Sequence, residues 1–108
     1  MSQCMRNNID FLRVLKNCNS KQRRALLQAA DSKLLKAICE CVLNVLRGTV
    51  KLNPSQKRKL RRHKDSLRQL ADKRIPLKRK KNLIVQKGEG FLGILLAPVL
   101  QQLASLLP

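Results

Sequence analysis

The chain has 108 residues and carries 24 Lys and Arg against 6 Asp and Glu, a formal net charge of +18. At 44% hydrophobic it is too apolar for a wholly disordered basic tail, and with Phe11 and Phe91 as its only aromatic residues it lacks the stacking faces that a single-strand or sheet-type RNA reader needs. A compact body of this charge repels itself without counter-anions, which points to a polyanion as partner; one His and six scattered carboxylates point away from an acid–base or metal enzyme.

The apolar residues are mostly Leu and Ala, β-branched residues are few and there are four Gly, so the expected fold class is all-α. The expected architecture is a small helical domain of three to four short helices, then a basic helix and linker, then a C-terminal apolar helix. Residues 1–52 form the helical domain. Its first residues hold no continuous apolar run, so no secretory signal and a reducing, intracellular setting are expected. Ile9, Leu12 and Leu15 share one face of a short helix, with Phe11 beside them. Asn17-Cys18-Asn19-Ser20 breaks it, and Ser20 serves as N-cap of a helix over residues 21–30. Asp31 or Ser32 caps the next helix, in which Leu34, Leu35, Ile38, Val42, Val45 and Leu46 recur at helical spacing. Gly48 follows Arg47 where a left-handed C-terminal cap is expected.

Residues 53–87 are the basic zone. Asn53 as N-cap, Pro54 at the first helical position and Gln56 at N3 start a helix expected to run to about Lys73, ahead of Ile75-Pro76. Leu60, His63, Leu67, Leu70 and Ala71 fall on one stripe of it. Lys57, Arg58, Arg61, Arg62, Lys64 and Arg68 fall on the opposite arc, interrupted by Asp65 and Asp72. A further short helix is expected from Pro76 to Lys87.

From Lys57 to Lys81 there are 13 Lys and Arg against two Asp, a net +11 in 25 residues. Such a run suits phosphate neutralisation, since each cation near a duplex releases a condensed counterion. The candidate phosphate ligands are the six on the arc together with Lys73, Arg74, Lys78, Arg79, Lys80 and Lys81. Nothing singles out side chains for base readout, so sequence-independent binding of double-stranded DNA is expected. A solvated charged face is the plainer reading of the same run, and Pro76-Leu77-Lys78-Arg79-Lys80-Lys81 also has the form of a nuclear-import signal.

Residues 88–108 form a Gly hinge, Gly88-Glu89-Gly90, and a hydrophobic tail. Phe91 to Leu107 is uncharged, interrupted by Pro98, Gln101, Gln102 and Ser105. As a helix it spans about 26 Å, short of a roughly 30 Å hydrocarbon core. It reads as a membrane-inserting or self-associating tail, as a spanning anchor, or as a helix packing against Leu34 to Leu46. Cys4, Cys18, Cys39 and Cys41 form no CxxC, and Cys39 and Cys41 point to different sides of a helix, so free thiols and no metal are expected. His63 reads as a packed or interfacial histidine. No nucleophile–base pair or phosphate-cradling loop is present, so no enzyme activity and no cofactor are expected.

Two stretches carry a family resemblance. The basic run leading through Leu83-Ile84-Val85-Gln86-Lys87-Gly88 into Gly90-Phe91-Leu92 and an Ala/Leu/Pro-rich tail resembles the small basic core protein of adenoviruses, protein X (mu). The longer stretch from Gln22 to Lys73, QRRALLQAADSKLLKAICECVLNVLRGTVKLNPSQKRKLRRHKDSLRQLADK, followed by PLKRKKNLIVQKG over 76–88, is similar to small proteins encoded by Polinton/Maverick elements and adintoviruses, the X-like partners of that lineage. The chain differs from protein X in its helical domain and lower Arg content. The resemblance implies a viral or element-encoded core protein, located in the virion core and host nucleus, that condenses double-stranded DNA alongside other virion proteins. It also implies maturation by a viral cysteine protease. Gln86-Lys87-Gly88-Glu89-Gly90 is similar in form to that protease's sites, differing at Gln86, and places a cut between Glu89 and Gly90.

A membrane-active virion protein, with the basic zone on anionic head groups and the tail inserted, is the second expectation. A regulator binding DNA through a helix-turn-helix-like pair is the third.

Overall fold

The computed structural model describes residues 3–106, and three of its helices begin at side-chain caps that the sequence supplies. The short α1 (Gln3–Asn7) leads into α2 (Ile9–Asn17), which buries Leu12 and Leu15 and leaves Phe11 exposed. Asn19, rather than the expected Ser20, caps α3 (Ser20–Gln28): its side chain accepts from the Gln22 amide at 2.8 Å, and the Asn19 amide donates to Gln22 Oε1 at 3.1 Å. This reciprocal pair is available to Asn19 because Gln sits three residues on. Asp31 caps α4 (Ser32–Leu46), accepting from the Leu34 amide at 2.9 Å. Helix α4 buries Leu34, Leu35, Ala37, Ile38, Cys41, Val42 and Val45, while Leu46 turns outward. Gly48 stands at φ +80°, the left-handed position that ends the helix and that only Gly adopts without strain.

The helix expected over 53–73 is two: α5 (Pro54–Arg61) and α6 (Lys64–Ala71), separated at Arg62-His63. The last helix, α7 (Leu77–Leu106), runs 30 residues without interruption. The seven helices, with no strand among the described residues, make the chain all-α.

Helix α7 overturns two expectations. Gly88-Glu89-Gly90 is not a hinge but the helical middle of α7, and the short helix expected over 76–87 is its first third. Nor does the tail stand apart. Phe91, Leu92, Leu95, Leu96, Val99 and Leu103 are fully buried against α2, α3 and α4, the packing alternative among the three expected for it. Burial of such side chains contributes about 1.5–3 kcal/mol each, which a protruding tail would forgo. The end of the expected tail, at Leu107 and Pro108, lies outside the described residues.

A straight helix of this length would measure about 45 Å. The longest principal extent of the molecule is 31 Å. Helix α7 therefore does not lie along a principal axis as a straight rod, and it contains Gly88, Gly90, Gly93 and Pro98, residue types at which helices bend. Gly88 is buried, with α3 so close that an added Cβ would lie 3.4 Å from Leu27 Cδ1.

Candidate nucleic-acid interface

The α5–α6 pair is built to show cations. Helix α5 starts from a capping box in which the Asn53 side chain accepts from the Gln56 amide at 2.8 Å and the Asn53 amide donates to Gln56 Oε1 at 3.0 Å. It is anchored by one buried side chain, Leu60, and Arg58, Lys59 and Arg61 crowd its last turn, where the helix dipole favours positive charge. Helix α6 is anchored by Leu67 and Leu70.

Between them His63 packs on Phe91, with ring centroids 5.7 Å apart and planes at 52°. The break at Arg62-His63 lets α5 pack on α7 while α6 packs on α4, which one straight helix could not do.

Ser55, Arg58, Lys59 and Arg62 lie at i, i+3, i+4 and i+7, one stripe of α5 facing away from Leu60. They surround a shallow cleft of about 200 Å³. Lys57, Arg61, Lys64 and Arg68 are exposed beside it. Among the described residues the ion pairs are Arg13–Asp10 at 3.8 Å and Arg74–Asp72 at 3.0 Å, so none of the α5–α6 cations is neutralised within the molecule, although Asp65 lies on α6.

The remaining candidates divide. Lys73, Lys78 and Arg79 are exposed. Arg74 is held by Asp72: its Nε donates to Oδ1 at 3.1 Å and a terminal nitrogen to Oδ2 at 3.0 Å, while its amide donates to Oδ1 at 2.9 Å. These bonds hold the Asp72 carboxyl down to about 2. Lys80 is buried, at 8% exposure, and Lys81 is half-buried with its Nζ donating to the Ala30 carbonyl at 3.2 Å. Both leave the phosphate-contact set. Because Lys80 faces inward, Pro76–Lys81 is not an exposed cationic run; it is the loop end and first turn of α7.

The Glu89–Gly90 bond sits on the surface of α7 in helical form. A protease acts on an opened, extended segment, so a cut there requires α7 to unwind locally.

Two functional placements were not expected from the sequence. Lys59 belongs to the cationic stripe, and the signal was its spacing from Ser55 and Arg62. Arg23, only 9% exposed, is structural: Nε donates to the Leu15 carbonyl at 2.7 Å, and a terminal nitrogen to Lys16 and Cys18 carbonyls at 3.0 and 3.1 Å. It closes the C-terminal end of α2, where orphan carbonyls and the dipole both attract a cation. No group of three His, Cys, Asp or Glu side chains converges as for a metal among the described residues. No protein-family model, curated protein or solved structure matches the chain.

Proposed function

We propose that the protein binds double-stranded DNA without sequence specificity, through phosphate contacts on the α5–α6 face, and acts as a condensing core protein of the viral or element-encoded kind that its resemblance implies. The observation that carries this reading is the Ser55–Arg58–Lys59–Arg62 stripe around a shallow cleft of about 200 Å³, flanked by further cations that form no ion pair among the described residues. Lys, Arg and Ser on a helix surface fit phosphate oxygens and supply no set of base-reading amides. Exposed Lys21, Arg24, Lys33, Lys36, Arg47 and Lys51 on other elements offer contacts to a second duplex, which condensation requires. The exposed Phe11 and Val14 on α2 support self-association, which multiplies weak contacts along a long polyanion.

The membrane-active alternative uses α7, which by length and composition is able to cross a bilayer. Its apolar side is the core of this fold, so insertion requires the molecule to open, and this weighs toward the DNA reading.

The test uses the full chain, since truncation after Lys87 removes seven of the 24 buried apolar residues. Affinity for mixed-sequence duplexes is measured across a salt series, alongside leakage of anionic vesicles. About six phosphate contacts give a log–log slope of roughly −5, alike for unrelated sequences. A chain with no salt-dependent duplex affinity, or one that lyses vesicles without binding DNA, overturns the proposal.

A further inference from the structure

The loop between α6 and α7 borders an open hollow that the cationic face does not use. Its volume is about 460 Å³, within the roughly 300–1,000 Å³ of small-molecule sites. Leu43 of α4, Leu70 and Ala71 of α6, Ile75 and Pro76 of the loop and Leu77 of α7 give it a largely apolar wall.

Lys80 is set into that wall. Although it is only 8% exposed, its ammonium makes no hydrogen bond or ion pair among the described residues. Its Nζ is nevertheless not sealed, so the hollow is the side from which a ligand reaches it. None of the neighbouring groups forms an ion pair with it. Both Asp72 oxygens are taken by Arg74, and burial pushes the Cys39 thiol up, against the pull of Lys80 itself, so that it stays neutral. Glu40 lines the same hollow without pairing to Lys80, and exposed Lys36 and Lys73 add positive charge at its margin.

An ammonium that opens on the hollow with no ion-pair partner gains charge-assisted hydrogen bonds from an anionic head group placed beside it. An apolar wall next to it takes up a hydrocarbon body. We propose that this hollow binds an amphipathic anion, with a carboxylate on Lys80 and an acyl-type chain against Leu43, Leu70 and Ile75. This chemistry has two sources, a free acid or the acyl and acidic parts of a membrane lipid.

The probe is dodecanoate below its micelle concentration, titrated into the full chain and followed by amide chemical shifts. Shifts centred on Cys39, Ala71 and Lys80, saturating at one ligand per chain, are expected. Lys80→Met, which keeps the buried stem, weakens binding about tenfold or more, and Lys80→Arg retains it. Lys21→Met, the same charge change on exposed α3, leaves it within about twofold. Acetate and dodecyltrimethylammonium, the head group alone and the chain with the opposite charge, do not compete. Should Lys80→Met fail to fold, Ala71→Leu, which narrows the apolar wall, weakens dodecanoate more than octanoate. Phosphatidylcholine vesicles containing phosphatidylglycerol identify the source: Lys80-dependent displacement of dodecanoate assigns a membrane lipid, and no displacement assigns a free acid. Equal weakening by Lys80→Met and Lys21→Met, or shifts spread along the Arg58–Arg62 stripe, overturns the proposal.

Discussion

His63 rests on the backbone of Gly90: a Cβ added at Gly90 would lie 2.9 Å from His63 Cε1, closer than such atoms approach one another. The contact pins the turn between α5 and α6 to the middle of α7, and the same imidazole packs on Phe91, one residue on. Gly90 therefore admits a neighbour rather than supplying a hinge.

Two opposing terms decide what Gly90→Ala does. Alanine in a helix gains about 0.5–1 kcal/mol over glycine, whereas crowding a packed contact costs about 1–3 kcal/mol. In the native chain Gly90→Ala is expected to lower stability by about 1 kcal/mol. In a His63→Ala background the clash is gone, and the same substitution is expected to stabilise by about 0.5–1 kcal/mol. Urea unfolding of the four chains checks the change of sign; a loss of equal size in both backgrounds would show that the two residues are not coupled.

Much of the first half of the fold was legible because caps and apolar spacing agree there: Asp31, Asn53-Pro54 and Gly48 do what their types favour, and five of the six apolar residues read in α4 lie on its buried face, Leu46 excepted. The misreadings share a physical cause. Gly88 and Gly90 look like a hinge in one dimension, yet they allow Leu27 and His63 to approach α7. Phe91 to Leu103 looks like a membrane segment, but it is the element against which the other helices bury their faces. At the site, the charge run was visible and its sorting was not. Only packing shows that Lys80 turns inward, that Lys81 reaches the link between α3 and α4 and that Arg74 is paired, while Lys59 joins Arg58 and Arg62.

Arg23 is expected to matter for stability more than any exposed cation. Arg23→Met leaves three carbonyls at the end of α2 without their donor, and a loss of about 3 kcal/mol is expected. Arg23→Lys keeps the charge but not the planar fork, so it should recover only part of that loss. Chemical denaturation of both variants checks this, and a neutral Arg23→Met would mean that solvent caps α2 equally well.

The cationic stripe makes a numerical claim about DNA. Replacing Arg58, Lys59 and Arg62 by Ala together removes three phosphate contacts, so the log–log salt slope should become shallower by about 2.7. Lys80→Met removes the same kind of charge from inside the protein and should leave the slope unchanged. Fluorescence anisotropy with a labelled duplex reads both, and a stripe variant with the parental slope would place the contacts elsewhere.

The Asp72–Arg74 pair links folding to acid. The folded carboxyl titrates at about 2, below its ordinary 3.8, because the Arg74 side chain and amide hold the charged form. The unfolded chain therefore takes up the proton first as pH falls. The pair's stabilisation is full above about pH 4, declines below it and is gone once the pH has passed through about 2. Carboxyl-carbon NMR should show the low midpoint, and Arg74→Ala, which removes the side chain but keeps the residue-74 amide, should raise it part of the way toward the usual range. An unchanged midpoint in that variant would assign the shift to another group.

Cys41 gives a reporter of opening that needs no introduced label. It is fully buried on α4, and burial pushes its thiol well above the usual range, so the reactive thiolate is scarce in the folded state. Cys4, Cys18 and Cys39 are each half-buried and accessible to a small reagent. With a disulfide reagent at mildly alkaline pH, Cys41 is expected to react at least about a thousandfold more slowly than in denaturant, through global opening alone. Peptide mass mapping at successive times assigns each site. Because α4 packs on α7, Gly90→Ala should speed Cys41 labelling by about fivefold if it costs about 1 kcal/mol. Labelling of Cys41 at the rate of Cys18 in the native chain would mean that α4 opens without the rest of the fold, contrary to one shared core.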